Sequence, residues 1–191
     1  MNAIVSEHAP SVHLTESIFF ALYPDAPAAT RITELAARLR IDHKLKATPI
    51  PAARLHITLQ YLGAFPGVPA DVLKQAHTAA SQITSPPVEL TLDRIESFSG
   101  RRAKRPLVLS GNVTAPLDAL EQTLGAALAT AGIALKRHPR FTPHVTLLYD
   151  EHRIARRPVE PIAWTAREFV LVRSLLGRSQ YEVLARWPLV S

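Results

Sequence analysis

LHITLQYLG (Leu55 to Gly63) and PHVTLLYD (Pro143 to Asp150) carry the same pattern: a histidine, an apolar residue, a threonine and a leucine. Arg54 to Leu62 alternates apolar and polar residues with period two, which predicts a strand; His144 to Tyr149 reads the same way. Residues i and i+2 of a strand share a face. His56 and Thr58 therefore point together, as do His144 and Thr146, while Ile57, Leu59, Val145 and Leu147 point to the opposite, buried face. The two histidines lie 88 positions apart in a chain of 191 residues. A strand–helix unit precedes each copy. This predicts two related halves whose His-Thr pairs face each other across a cleft. A single His-x-Thr match carries little, because both residues are common. The duplication, with matching apolar neighbours and strand context, carries the reading.

Outward from these motifs, Ser17 to Tyr23 (SIFFALY) is a short aromatic and apolar run, a buried strand ended by Pro24. Ala28 to Arg40 places Ile32, Leu35, Ala36 and Leu39 at helical spacing. Asp42 to Ala53 reads as a loop, and Ala70 to Ile83 as a helix ended by Pro86-Pro87. Val88 to Ile95 and Leu107 to Asn112 are strands on either side of a basic loop, Ser99 to Pro106. Pro116 to Ala131 is a helix with Leu117, Leu120, Leu124 and Leu128 on one stripe, Pro116 in its first turn and Gly132 at its end. Arg153 to Pro161 is basic and proline-rich and reads as a loop. Glu168 to Leu175 and Gln180 to Trp187 form a hairpin. The order β-α-β-α-β-β-α-β-β-β predicts an α+β fold of seven strands. Residues 1–16 are expected to be a flexible tail without the apolar stretch of a secretory signal, and 17–191 one domain with no linker.

Composition excludes several classes. With no cysteine, disulfides, iron–sulfur clusters, zinc ribbons and thiol nucleophiles drop out, and a reducing, cytoplasmic setting fits. No apolar run approaches the ~18 residues of a membrane span. No glycine-rich phosphate loop or GxSxG is present. His8, His13, His43, His77, His138 and His152 lack partners at metal-ligand spacing, so no metal site or cofactor is expected. The net charge is +6, from 17 Arg and 5 Lys against 16 acidic residues. Arginine's planar fork suits phosphate, so the basic excess points toward a nucleic-acid or phosphate ligand, or else to a solvated arginine-rich surface.

Two histidines converging on one atom suit phosphodiester chemistry. An imidazole titrates near neutrality. One neutral ring can take a proton from water while the other, protonated, gives one to the leaving oxygen. Threonine hydroxyls can donate to the non-bridging phosphate oxygens, where charge develops.

These two motifs, with IFFALYP (Ile18 to Pro24) and REFVLVRSLLGRSQYEVLARWPL (Arg167 to Leu189), resemble the 2H phosphoesterase superfamily, and within it the bacterial RNA 2′,3′-cyclic phosphodiesterases, also called 2′-5′ RNA ligases. The resemblance covers about Ser17 to Leu189. It implies a bilobal fold of two antiparallel sheets facing a central cleft, with helices on their outer faces. It implies metal-independent hydrolysis of RNA 2′,3′-cyclic phosphate ends to 2′-phosphomonoesters, with reversible 2′-5′ joining. Carried over, His56 is the general acid, His144 the base, and Thr58 and Thr146 hold the phosphate. The near-symmetry of the motifs leaves the acid and base roles open to exchange. Some members carry an arginine where this chain has Tyr149. Strand alternation turns Tyr149 away from His144 and into the core, so Arg153 or the Arg101–Arg105 loop is the expected substitute.

Phe19 and Phe20 alternate faces; the family comparison favours Phe20 as the ring that stacks on a base, against core packing for both. Arg102, in the basic loop, is a candidate for steering RNA. The expected partner is RNA with a 2′,3′-cyclic phosphate end, and the expected state is a monomer away from membranes. A small cyclic nucleotide or 2′-5′ oligonucleotide substrate is the first alternative. An RNA-end-binding module with little turnover is the second, and the two intact His-Thr pairs argue against it.

Overall fold

The computed structural model describes residues 15–99, 103–135 and 141–190. Its elements run β1 (Glu16–Leu22), α1 (Ala26–Asp42), a 3-10 turn (Ala52–Arg54), β2 (Ile57–Phe65), α2 (Ala70–Ala80), β3 (Val88–Ser97), β4 (Arg105–Gly111), α3 (Ala115–Thr130), β5 (His144–Asp150), β6 (Arg157–Ala166), β7 (Glu168–Leu175) and β8 (Gln180–Pro188). The fold is α+β, and every strand pairing is antiparallel.

The helices form where the apolar spacing places them. Asp25 caps α1, its carboxylate accepting the Ala28 N–H at 2.9 Å, and the stripe Ala28, Ile32, Leu35, Ala36 and Leu39 is buried. In α3 the stripe Leu117, Leu120, Leu124 and Leu128 is buried, with a proline in its first turn. Gly132 ends α3 at φ +90°, and the Gly132 and Ile133 amides reach back to the Ala129 and Leu128 carbonyls. A left-handed residue is what this chain reversal needs.

The strand order is β6-β3-β4-β5-β2-β1-β7-β8. It divides into two four-stranded halves, and the two motif strands form their inner edges. β5 and β2 are joined by one residue pair, Ile57 with Val145. The two sheets expected from the resemblance are therefore one eight-stranded sheet, narrowed to a single bridge at its centre.

The two faces of the sheet differ. One is covered by the helices: Ile18, Phe20 and Leu22 of β1, Ile57 of β2, Leu107 and Leu109 of β4 and Val145 of β5 share the main core with the α1 and α3 stripes. The other holds a smaller apolar cluster, Phe19, Ala21, Val170 and Val172, edged by Tyr23, Tyr181 and Val183.

This division corrects the reading of β1. Phe20 has no exposure and packs against Phe169 and Trp187 on the helix side; it is a core residue and is not available to a substrate. Phe19 is the ring on the open face.

β6 is the strand absent from the sequence reading. Pro158 and Pro161 lie within it, and proline removes a ladder donor. β6 is the outer strand next to β3, and an edge strand tolerates that loss. Arg102 and the other residues of 100–102 lie outside the described residues. No helix among the described residues is long and apolar enough to cross a membrane.

Candidate active site

The bridge between the halves sets the site. Ile57 faces Val145 in an antiparallel pair, so the register carries His56 opposite Thr146 and Thr58 opposite His144. Ile57 and Val145 point into the core, so their neighbours, the four motif residues, point to the open face. Each histidine thus stands beside the threonine of the other motif. The two histidines occupy cross-strand diagonal positions on the same face of the sheet.

The two rings are held alike. His56 Nδ1 lies 2.8 Å from the Arg54 carbonyl, and His144 Nδ1 lies 2.7 Å from the Thr142 carbonyl. A carbonyl only accepts, so each Nδ1 carries its proton and each Nε2 is left for chemistry. Each ring is also braced by a phenylalanine. Phe19 stacks on His56 with centroids 4.8 Å apart, and Phe98 meets His144 edge-on, also at 4.8 Å. Neither threonine hydroxyl is engaged by a protein group among the described residues, so both remain free to donate.

Burial disfavours the charged form of both rings. It lowers His56 to about 4, with smaller contributions in the same direction from His144 and Arg54, while the bond to the Arg54 carbonyl opposes them. His144 is lowered as well. Burial acts first, and the Thr142 carbonyl and the Glu96 carboxylate partly restore its proton affinity. Glu96 is held by Ser110 Oγ, which donates to Oε1 at 3.3 Å; Ser110 is the cross-strand partner of His144. The halves are therefore alike in geometry and unlike in charge, with Arg54 beside one histidine and Glu96 near the other.

Tyr149 is not in the core. It is half exposed, at 49%. The reason is a bulge: Leu107 pairs with Leu148 and Val108 with Thr146, leaving Leu147 as an extra residue. Both Leu147 and Leu148 turn inward, and Tyr149, paired with Pro106, returns to the face of His144. β2 does the same. Gln60 pairs with Phe20 and Thr58 with Ala21, leaving Leu59 as the extra residue, and Tyr61 emerges beside Phe19 with 42% exposure. The repeat therefore extends to His-x-Thr-Leu-x-Tyr, written in the chain as HITLQY and HVTLLY. Bulges re-aim side chains in this way next to functional sites.

A cavity of about 1570 Å³ runs from Thr58 and His144 past Tyr61, Phe98 and Phe141 toward α3. That exceeds the volume of an ordinary small-molecule pocket. Among the described residues, no group of three or more His, Cys, Asp or Glu side chains is placed to hold a metal ion. Arg153, expected as a substitute cation, is exposed.

A paired His-x-Thr site on the open face of an antiparallel sheet, at the junction of two halves, defines the class: a 2H phosphoesterase. The family model of the 2′-5′ RNA ligase superfamily matches residues 23–178, and the chain belongs to that family. Among solved structures, Escherichia coli LigT complexed with 3′-AMP is 29% identical with a TM-score of 0.73, covering 93% of this chain and 99% of LigT. A structure titled only as a phosphoesterase is 28% identical, with a TM-score of 0.72 over 93% of this chain and 99% of that one. TT0787 of Thermus thermophilus, at 21% identity and a TM-score of 0.74, covers 91% of this chain and 97% of its own and shares the fold. No curated protein matches.

Proposed function

We propose that this protein hydrolyses RNA 2′,3′-cyclic phosphate ends to 2′-phosphomonoesters by two-histidine acid/base catalysis. One observation carries the reading: two imidazoles fixed through Nδ1 and presented through Nε2, each beside a free threonine hydroxyl. Water oxygen attacks phosphorus, and its proton passes to the Nε2 of the neutral ring. The bond from phosphorus to the ribose 3′-oxygen breaks, and that oxygen takes a proton from the Nε2 of the charged ring. In-line displacement needs the base and the acid on opposite sides of phosphorus, and the reading puts phosphorus between the two rings. Thr58 and Thr146 donate to the non-bridging oxygens. With a ribose 5′-hydroxyl in place of water as the nucleophile, its proton passing to the same neutral ring and the bond to the 3′-oxygen breaking as before, the same groups form a 2′-5′ linkage.

The resemblance assigns the acid to His56. In the free protein burial works against that role, since it lowers His56 to about 4. An anionic phosphodiester between the rings raises both affinities, so the acid role of His56 requires bound substrate. A 3′-bridging phosphorothiolate substrate tests this, since a thiolate leaves without a proton. His56→Ala is expected to keep its activity on that analogue, and His144→Ala to lose it. The reverse result exchanges the two roles.

The exposed rings of Tyr61 and Tyr149 offer flat faces for nucleobases on either side of the phosphate. LigT has been crystallised with 3′-AMP and with ATP, and a nucleotide ligand suits this reading. The reaction is tested by ³¹P NMR of a short RNA ending in a 2′,3′-cyclic phosphate. A 2′-phosphate product is expected; a 3′-phosphate, or no turnover, contradicts the proposal.

A further inference from the structure

Arg54 is where the two halves of the site differ most. It ends the 3-10 turn two residues before His56, the position that Thr142 holds before His144. The carbonyls of both residues do the same work, each accepting an imidazole Nδ1–H. Only one of the two side chains is charged.

The Arg54 guanidinium lies over the Tyr181 ring, 4.7 Å from its centroid. Tyr181 in turn meets His56 edge-on at 5.5 Å and Phe19 at 5.5 Å. The cation is thereby seated in the aromatic wall around the first histidine, near enough for its charge to act on that ring. Its Nε is buried and makes no hydrogen bond. No carboxylate among the described residues pairs with it. A half-buried guanidinium without a carboxylate partner is unfavourable unless an anion completes it. The planar fork matches phosphate oxygens, which accept two parallel bonds from it.

We propose that Arg54 is the phosphate-binding cation of this site, its guanidinium donating to a non-bridging oxygen of the scissile phosphodiester and, after turnover, to the 2′-phosphate of the product. The proposal rests on the two-histidine reading for where phosphorus lies. It places on the first motif the charge that sequence reasoning sought at Arg153 or in the Arg101–Arg105 loop. An anion bound there also offsets the small coulombic push that the Arg54 charge adds to the burial that lowers His56.

The test is calorimetric titration of wild type, Arg54→Gln and Arg54→Lys with adenosine 2′-monophosphate and with inorganic phosphate. Arg54→Gln is expected to weaken both ligands about ten- to hundredfold, the range of a charge-assisted hydrogen bond. Arg54→Lys, which keeps the charge and loses the fork, is expected to fall between. Equal affinity of wild type and Arg54→Gln for both ligands overturns the proposal, as does a wild type that binds neither. Weaker binding by Arg54→Gln, in a protein whose wild type shows no hydrolase activity, supports the anion site while contradicting the reaction. Should glutamine at 54 unseat Tyr181 and prevent folding, the unaltered protein provides a second reading. Phenylglyoxal is expected to label Arg54 in the free protein and to be blocked by adenosine 2′-monophosphate, as read by peptide mass; labelling that the nucleotide leaves unchanged overturns the proposal.

Discussion

Replacing His56 with glutamine removes one titrating group from the buried floor of the site, and its effect on stability follows from proton linkage. In the unfolded chain His56 titrates near 6.5, and in the fold burial lowers it to about 4. Between these values the unfolded state binds the proton and the folded state does not, so acidification favours unfolding. The stability is fully present above the unfolded value, falls as pH drops below it, and levels off below about pH 4. Carried from about pH 7 to about pH 4.5, the linkage costs wild type about 2 kcal/mol through this one ring. His56→Gln is exempt from that loss, while the other acid-sensitive groups are shared apart from a smaller coulombic change at His144. Urea unfolding of both proteins at the two pH values isolates the contribution as a difference of differences. A residual of about 2 kcal/mol is expected. Equal pH dependence in the two proteins would refute the claim that the fold desolvates this imidazole.

Three further outcomes follow from the geometry. Glu96→Gln removes the carboxylate that supports the charged form of His144, so the His144 C2–H titration by NMR moves to lower pH; an unmoved midpoint contradicts that coupling. Phe20→Ala empties a fully buried site and costs about 3–5 kcal/mol in urea unfolding, whereas a small loss together with weaker nucleotide binding restores Phe20 to the site. Tyr149→Ala leaves stability within about 0.5 kcal/mol and weakens binding of a dinucleotide end about fivefold or more if its ring carries a base; unchanged affinity removes it from the site.

The duplicated motif was legible because strand alternation is a strict rule over three residues. It placed His56 with Thr58 and His144 with Thr146, and their apolar neighbours in the core, and the bridge at Ile57 and Val145 joins the halves at that point. Beyond three residues the rule failed twice for one reason. Bulges at Leu59 and Leu147 add a residue that alternation does not count, and so Tyr61 and Tyr149 turn to the open face. The signal for both was present in the matching tyrosines of the two copies. The assignment of Phe20 to the site failed on a different ground, since alternation states that two adjacent rings part company without saying which faces the helices. β6 was hidden by Pro158 and Pro161, whose cost depends on the strand being at an edge, a tertiary fact. Arg54 and Glu96 were invisible as site residues because their relevance lies in what packs beside them.

The central claim is that two imidazoles perform the reaction together, and it is tested most directly on a short RNA ending in a 2′,3′-cyclic phosphate, incubated with chelator present. Wild type is expected to convert the end to a 2′-phosphate. His56→Ala and His144→Ala are each expected to fold normally and to be slower by about 10²–10⁴-fold. Full activity in either variant, or loss of wild-type activity with the chelator, contradicts the account.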